Sequence, residues 1–312
     1  MTSCWIVTEH GLTGTENQCR GVAAAMGLDP VIKRIGLRQP WKTLSPFLGF
    51  ECACTFTGDP LTAPWPDLVI ASGRKSIAAA RYIKKRSPHT KLVQIQDPRA
   101  AHKIFDLIAV PHHDPARGDN ILVTDAAPNM ITPEKLKAAR TQFAPLLENI
   151  AQPRVAVLIG GDSKAHKLTT ARMITLCAHL KNLMDHGYGL MITASRRTGA
   201  AQKKILTESL PGALIWDGTG DNPYHGFLAW ADYIMVTADS VSMIAEAATT
   251  GKPVYLIPLD GGSRRFDRFY HHLQKHGAVR PFEGTLSPYD YVPLHDAGLV
   301  AESIHKLMQT AK

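Results

Sequence analysis

Residues 239–246, DSVSMIAE, set two hydroxyls and a carboxylate around the start of a helix, a grouping suited to a nucleoside diphosphate. The preceding YIMVT is an apolar strand, and the helix begins near Val241. The first turn of a helix carries unpaired N–H groups and the positive end of its dipole, which suit a phosphate beside Ser240 and Ser242. Asp239 stands in the turn itself. Glu246, a turn or more along, would reach a sugar hydroxyl. The same layout also serves a plain strand-to-helix connection, so the other loops have to be weighed with it.

Three more strand ends in the second half carry related chemistry. Gly160-Gly161-Asp162-Ser163-Lys164 joins a glycine pair to a hydroxyl and a cation, part of a phosphate cradle. It lacks the spacing and the Gly-Lys-Ser/Thr ending of a P-loop, so triphosphate hydrolysis is not indicated. Ser195-Arg196-Arg197-Thr198 puts paired arginines just before a helix, where a diphosphate would sit, with Arg196 the slightly favoured of the two. Gly261-Gly262-Ser263-Arg264 repeats the theme. Asn222-Pro223-Tyr224 reads first as a capped turn and second as the border of a base pocket. Together these loops favour a phosphate-bearing ligand.

The first half offers bases instead. Glu9-His10-Gly11 is followed by Gly14, Glu16 and Gln18, so Gly11, Gly14 and Gln18 form a loop able to approach a phosphate or sugar. It fails as a GxGxxG dinucleotide fingerprint, and the next strand ends in Arg38 where an acid would hold ribose. His10, Glu16 and Asp97 are the candidate bases, while Arg99 would hold an acidic group. His112, His113 and Asp114 invite a metal reading, but adjacent histidines on an extended chain point opposite ways, and no metal site is expected.

The elements needed to position these groups repeat along the chain. Apolar strands alternate with helical segments in both halves, the pattern of two doubly wound α/β domains. Ala151-Gln152-Pro153 reads as the linker, giving an N-terminal domain of residues 1–150 and a C-terminal domain of 151–312. A last amphipathic segment, 297–308, closes this pattern. Ligands of such sheets sit beyond the carboxyl ends of the strands, and a cleft between two facing domains is the default site.

Composition narrows the classes. The 312 residues carry a formal net charge of +8 and no apolar run near the ~18 residues of a membrane span. MTSCWIVTEHGLTG resembles a short strand more than a secretion signal, so a cytoplasmic protein is expected. Five scattered cysteines form no evident disulfide framework, and Cys52-Ala-Cys54 is too close for a zinc knuckle. The densest basic patch, including Arg74, Arg81, Lys84 and Lys85, reads as a solvated helix face or as a peripheral contact with the inner face of an anionic membrane. Without interleaved aromatics or a nucleic-acid motif, DNA and RNA are not expected partners.

Gly11, Gly14, Asn17 and Gln18, then Gln96-Asp97-Pro98-Arg99, Gly160-Gly161-Asp162-Ser163-Lys164, Ser195-Arg196-Arg197-Thr198 and Asp239-Ser240-Val241-Ser242-Met243 together resemble a known family. These are the bacterial relatives of the plant "elongated mitochondria" fission factor, often labelled nucleoside-diphosphate-sugar epimerases. The chain is also similar, more distantly, to GT-B glycosyltransferases. That resemblance implies two Rossmann-like domains facing a cleft, a nucleotide-sugar substrate without metal or other cofactor, a ribose contact at Glu246, and a last helix, 297–308, that crosses back to complete the first domain. One departure is that Thr15 follows Gly14, where many GT-B enzymes carry a catalytic His in the first glycine loop. The expected function is sugar transfer from a nucleoside-diphosphate donor to an unknown, envelope or lipid-linked, acceptor. The alternatives are a nucleotide-sugar epimerase or hydrolase on the same scaffold, and a non-catalytic membrane-surface adaptor. No tyrosine has lysine four residues on, which argues against NAD-type epimerisation.

Overall fold

The computed structural model describes residues 2–309. The chain forms two compact units, residues 1–130 with 295–312 and residues 131–294. In the first unit the strands are β1 (Cys4–Glu9), β2 (Val31–Leu37), β3 (Phe56–Gly58), β4 (Leu68–Ser72), β5 (Lys91–Ile95), β6 (Leu107–Pro111) and β7 (Ile121–Thr124). The helices between them are α1 (Thr13–Ala25), α2 (Trp41–Leu44) and α3 (Ser76–Arg86). The sheet order is β3-β2-β1-β4-β5-β6-β7, parallel except for the β3 edge, which pairs antiparallel with β2. A parallel sheet of this kind needs apolar residues on both faces, and β1 supplies them alternately. Trp5 and Val7 pack with Ile77, Ala80 and Ile83 on one side, Cys4 and Ile6 with Cys19 and Val22 on the other.

The second unit opens with α4 (Pro133–Gln142) and α5 (Ala144–Leu147), then β8 (Arg154–Ile159), β9 (His166–Lys167), α6 (Thr170–Asp185) and β10 (Gly189–Ala194). It continues through α7 (Ala200–Ser209), β11 (Leu214–Ile215), α8 (Tyr224–Trp230), β12 (Tyr233–Thr237), α9 (Val241–Thr249), β13 (Val254–Ile257), β14 (Asp260–Gly261), α10 (Arg264–His276) and β15 (Val279–Pro281). Its main sheet is wholly parallel, β11-β10-β8-β12-β13-β15, while β9 and β14 form a separate antiparallel pair. The last helix, α11 (Asp296–Gln309), lays Val300 and Ile304 on the Cys4–Ile6 face of the first sheet.

The division differs from a boundary at residue 150. Thr132 caps α4 by accepting from Lys135 N at 3.1 Å, as the Thr-Pro start predicts, but α4 packs on α8. Arg140 donates to the Ala229 carbonyl (3.2 Å) and stacks on Trp230, whose indole donates to the Arg140 carbonyl (2.9 Å). These contacts carry residues 131–150 into the second unit. The cysteines also differ from the expected absence of disulfides. A 3₁₀ turn at Ala53–Thr55 brings the Cα atoms of Cys52 and Cys54 to 5.3 Å, and the two are joined, while Cys4, Cys19 and Cys177 are free and buried.

No helix among the described residues is long and apolar enough to cross a membrane, and none of their His, Cys, Asp and Glu side chains group as a metal site.

Candidate functional site

In the second unit, the loops after β8, β10 and β12 are tied together by one carboxylate. Asp239, whose side chain is fully buried, accepts from Thr237 Oγ1 (2.7 Å) and Gly161 N (3.1 Å) and pairs with Arg197 Nη2 (2.7 Å). Thr237 Oγ1 in turn accepts from Gly160 N at 2.7 Å. Ser195 Oγ donates to the Gly160 carbonyl at 2.9 Å, and Thr198 Oγ1 donates to the same oxygen. The glycine pair follows from this knot. A Cβ on Gly160 would stand 2.2 Å from the Asp239 carboxylate, and one on Gly161 would stand 2.1 Å from the Arg197 carbonyl. Close approach of protein to protein therefore explains Gly160 and Gly161 directly, where the sequence suggested a phosphate cradle.

The same knot sorts the remaining candidates. Asp239, Ser195, Arg197 and Thr198 are engaged with the protein. Ser163 closes its own turn, accepting from Ala165 N (3.2 Å) and His166 N (3.0 Å). Arg196 and Lys164 are exposed, and their side chains have no partner among the described residues. Ser240 caps α9, accepting from Met243 N at 3.4 Å, and Ser242 is exposed in the first turn of that helix. Among the described residues of these loops, the α9 amides that its cap leaves open, the Arg196 guanidinium and the Lys164 ammonium are the groups that could receive an anion.

Glu246 lies farther along α9. The Tyr224 hydroxyl, from α8, donates to its Oε2, and Oε1 has no hydrogen-bond partner among the described residues. Burial raises the Glu246 carboxyl above its ordinary range, while the Tyr224 bond and the charge of Lys135 on α4 pull it back. Burial lowers the Lys135 ammonium, and burial with the Lys135 charge brings His225 down to about 4. In sequence Tyr224 belonged to a segment read first as a capped turn and second as the border of a base pocket, and Lys135 carried no signal at all.

The first unit separates its candidate bases. Glu16 is clamped by Arg34 Nε (2.8 Å) and Arg20 Nε (2.9 Å), and these bonds hold its carboxyl below the usual range. That is the wrong direction for a general base. Glu9 is paired with Lys75. His10 is exposed after β1, and its backbone amide donates to the Ile35 carbonyl at 3.0 Å. A Cβ at Gly11 or Gly14 would meet nothing within 4 Å, although Gly11 needs its freedom for a φ of +83°. Gln18 is buried and accepts from Gln96 Nε2 at 3.0 Å. Asp97 accepts from Arg99 N (2.8 Å) and pairs with His102 Nε2 (3.0 Å), so it orients a histidine that the sequence reading did not single out.

Relatives put these two sheets in a known frame. The UDP-GlcNAc 2-epimerase of Methanocaldococcus jannaschii superposes with a TM-score of 0.60 at 12% identity, covering 99% of this chain and 100% of that one. The Neisseria meningitidis UDP-GlcNAc 2-epimerase bound to UDP-GlcNAc gives 0.50 at 12% identity, covering 97% and 100%. The fold is accordingly GT-B-like, with two Rossmann-like α/β sheets. In sequence, the chain is 31% identical over 272 residues to the mitochondrial fission protein ELM1 of Arabidopsis thaliana, across 77% of this chain and 64% of the plant protein's length. An uncharacterized protein of Rickettsia prowazekii is 32% identical over 281 residues, covering 77% of this chain and 79% of its own length. The family model described as mitochondrial fission ELM1 matches residues 13–308, and the chain belongs to that family.

Proposed function

We propose that the second unit binds a nucleoside-diphosphate sugar and that the protein transfers the sugar to an acceptor hydroxyl. The observation that carries this reading is Glu246. One of its carboxylate oxygens is held by Tyr224 and the other is open, on the same helix whose N-terminus presents Ser240 and Ser242. A carboxylate so held accepts readily from ribose hydroxyls. The diphosphate would lie at the start of α9, with Arg196 and Lys164 as the available cations. As the bond from the anomeric carbon to the diphosphate breaks, the helix dipole and these cations would stabilise the charge on the leaving group. A related fold in Methanocaldococcus jannaschii has been solved with UDP-GlcNAc and UDP, which supports a uridine diphosphate as the first ligand to try.

Isothermal titration with the diphosphates of uridine, guanosine and adenosine is the direct test. Binding of at least one, weakened by Arg196→Ala, is expected. Absence of binding to all three at millimolar concentration would remove the donor site. Epimerisation on the same scaffold is distinguished by incubating a bound nucleotide sugar without acceptor and analysing the products.

A second reading, an adaptor at a membrane surface, draws on one feature of the first unit. Phe47 and Phe50 are 76% and 93% exposed, on a loop that Arg81 pins through the Pro46 and Leu48 carbonyls and Glu51.

A further inference from the structure

A cavity of about 570 Å³ opens in the first unit at the connections from β5 to β6 and from β6 to β7. Its lining includes Asp97, Arg99 and His102 from the first connection, Arg117 and Asn120 from the second, and Ile121 at the start of β7.

The backbone here is unusual. Gln96 (φ 73°), Arg99 (φ 61°) and Ala101 (φ 57°) are all left-handed, and none is glycine. Left-handed non-glycine residues are held against a steric penalty and gather at functional sites. The amides of Ala100 and Ala101 have no partner among the described residues.

The side chains agree with that arrangement. The Arg99 guanidinium is exposed and has no partner among the described residues, whereas its amide is fixed by Asp97. Arg117 is anchored by donating to the carbonyls of Asp114 (2.6 Å), Ala116 (2.6 Å) and His112 (3.3 Å), which fixes a second positive charge in the lining. His102 is held by Asp97 at 3.0 Å, and Asn120 donates to the His102 and Phe105 carbonyls, fastening the turn. With Arg99 and Arg117 against Asp97, the lining is net positive and presents one free guanidinium fork.

We propose that this pocket binds a phosphomonoester group, received by the Arg99 guanidinium with Arg117 as a second positive charge. A phosphate, with three terminal oxygens and up to two negative charges, meets a guanidinium fork and a second cation at once, which a carboxylate with two oxygens and one charge does less well. The phosphate of a soluble metabolite and that of a lipid headgroup share this chemistry.

The test titrates the full chain with glycerol 3-phosphate by calorimetry and, separately, measures co-sedimentation with phosphatidylcholine vesicles with and without phosphatidic acid. Arg99→Gly keeps the left-handed turn at no steric cost, so its melting temperature is expected to match or exceed that of the wild type. It is expected to lose about tenfold or more in affinity, the worth of a charged hydrogen-bond partner. His102→Gln, which disturbs the turn without removing the fork, is expected to lose less. Binding in the calorimeter alone assigns a soluble ligand, and phosphatidic-acid-dependent sedimentation lost in Arg99→Gly assigns a lipid. The proposal is overturned if neither probe binds, if Arg99→Gly binds as the wild type does, or if acetate binds as tightly as glycerol 3-phosphate.

Discussion

Glu246 concentrates what a single residue contributes here. Burial raises its carboxyl, so in the folded protein it binds protons to a higher pH than in the unfolded chain. The stabilisation from that group is present below the ordinary carboxylate range and is lost as pH rises through the folded value. At neutral pH the carboxylate therefore opposes folding. Glu246→Gln keeps an oxygen for the Tyr224 hydroxyl and removes the charge. It is expected to raise stability by about 1 kcal/mol at pH 7.5 and by little at pH 4, read from urea melts. The same variant is expected to weaken nucleoside-diphosphate binding about tenfold, because a charged acceptor is replaced by a neutral one. Tyr224→Phe removes a bond that lowers the carboxyl, so the pH midpoint of nucleotide binding moves upward. A merely structural tyrosine would leave that midpoint in place. Sequence alone supplied Glu246 and its distance from Ser240, because helical spacing is local. It could not supply Tyr224 or Lys135, which arrive from other helices through tertiary packing. Asp239, Gly160 and Gly161 show the converse limit: a ligand cradle and a protein-to-protein close approach use the same residue types.

At the scale of elements, α11 is the segment whose attachment is most open to test. Asp296, at its first position, accepts from the amides of Asp125 (2.8 Å) and Ala126 (3.0 Å). Its carboxyl thus fastens the start of the helix to the end of β7. Val300 and Ile304 then fill the sheet face beneath, both at 0% exposure. Asp296→Ala leaves two amides without their acceptor and is expected to cost about 2–3 kcal/mol. In hydrogen exchange, α11 and residues 125–126 should lose protection first, before the strands of the second unit. Uniform loss across both units would mean that α11 is not a separable element. The long strands and helices were legible because their apolar runs and caps are contiguous in sequence. β3, β9, β14 and β15 were not. Each is two or three residues long, and each exists because a neighbouring edge supplies its hydrogen bonds. The attachment of α4 was missed for a related reason. Ala151-Gln152-Pro153 has the composition of a linker, but the contacts that assign α4 run to α8, some ninety residues away.

For the molecule as a whole, the +8 charge raises the question of a basic face, and the four cations expected at a membrane do not all serve one. Arg81 is bound to Glu51 and two carbonyls, and Lys84 to Asp106 and the Thr90 carbonyl. Of the four cations expected at a membrane, Arg74 and Lys85 are the exposed ones. What Arg81 supports is a loop displaying Phe47 and Phe50, with Phe50 left-handed at φ 64°. A bulky residue in that conformation is a genuine outlier, and here the backbone around it is fixed, so the display of the ring is built in. If the protein binds bilayers, burial of the two rings at about 1.5–3 kcal/mol each should outweigh two exposed cations at about 1 kcal/mol each. With vesicles containing phosphatidylglycerol, Phe47→Ser with Phe50→Ser is therefore expected to reduce co-sedimentation at least tenfold. Arg74→Glu with Lys85→Glu should produce a smaller loss that disappears in high salt. The reverse ranking would return the contact to electrostatics. Failure of the wild type to sediment with any vesicle would remove the adaptor reading and leave the nucleotide site proposed for the second unit as the remaining one.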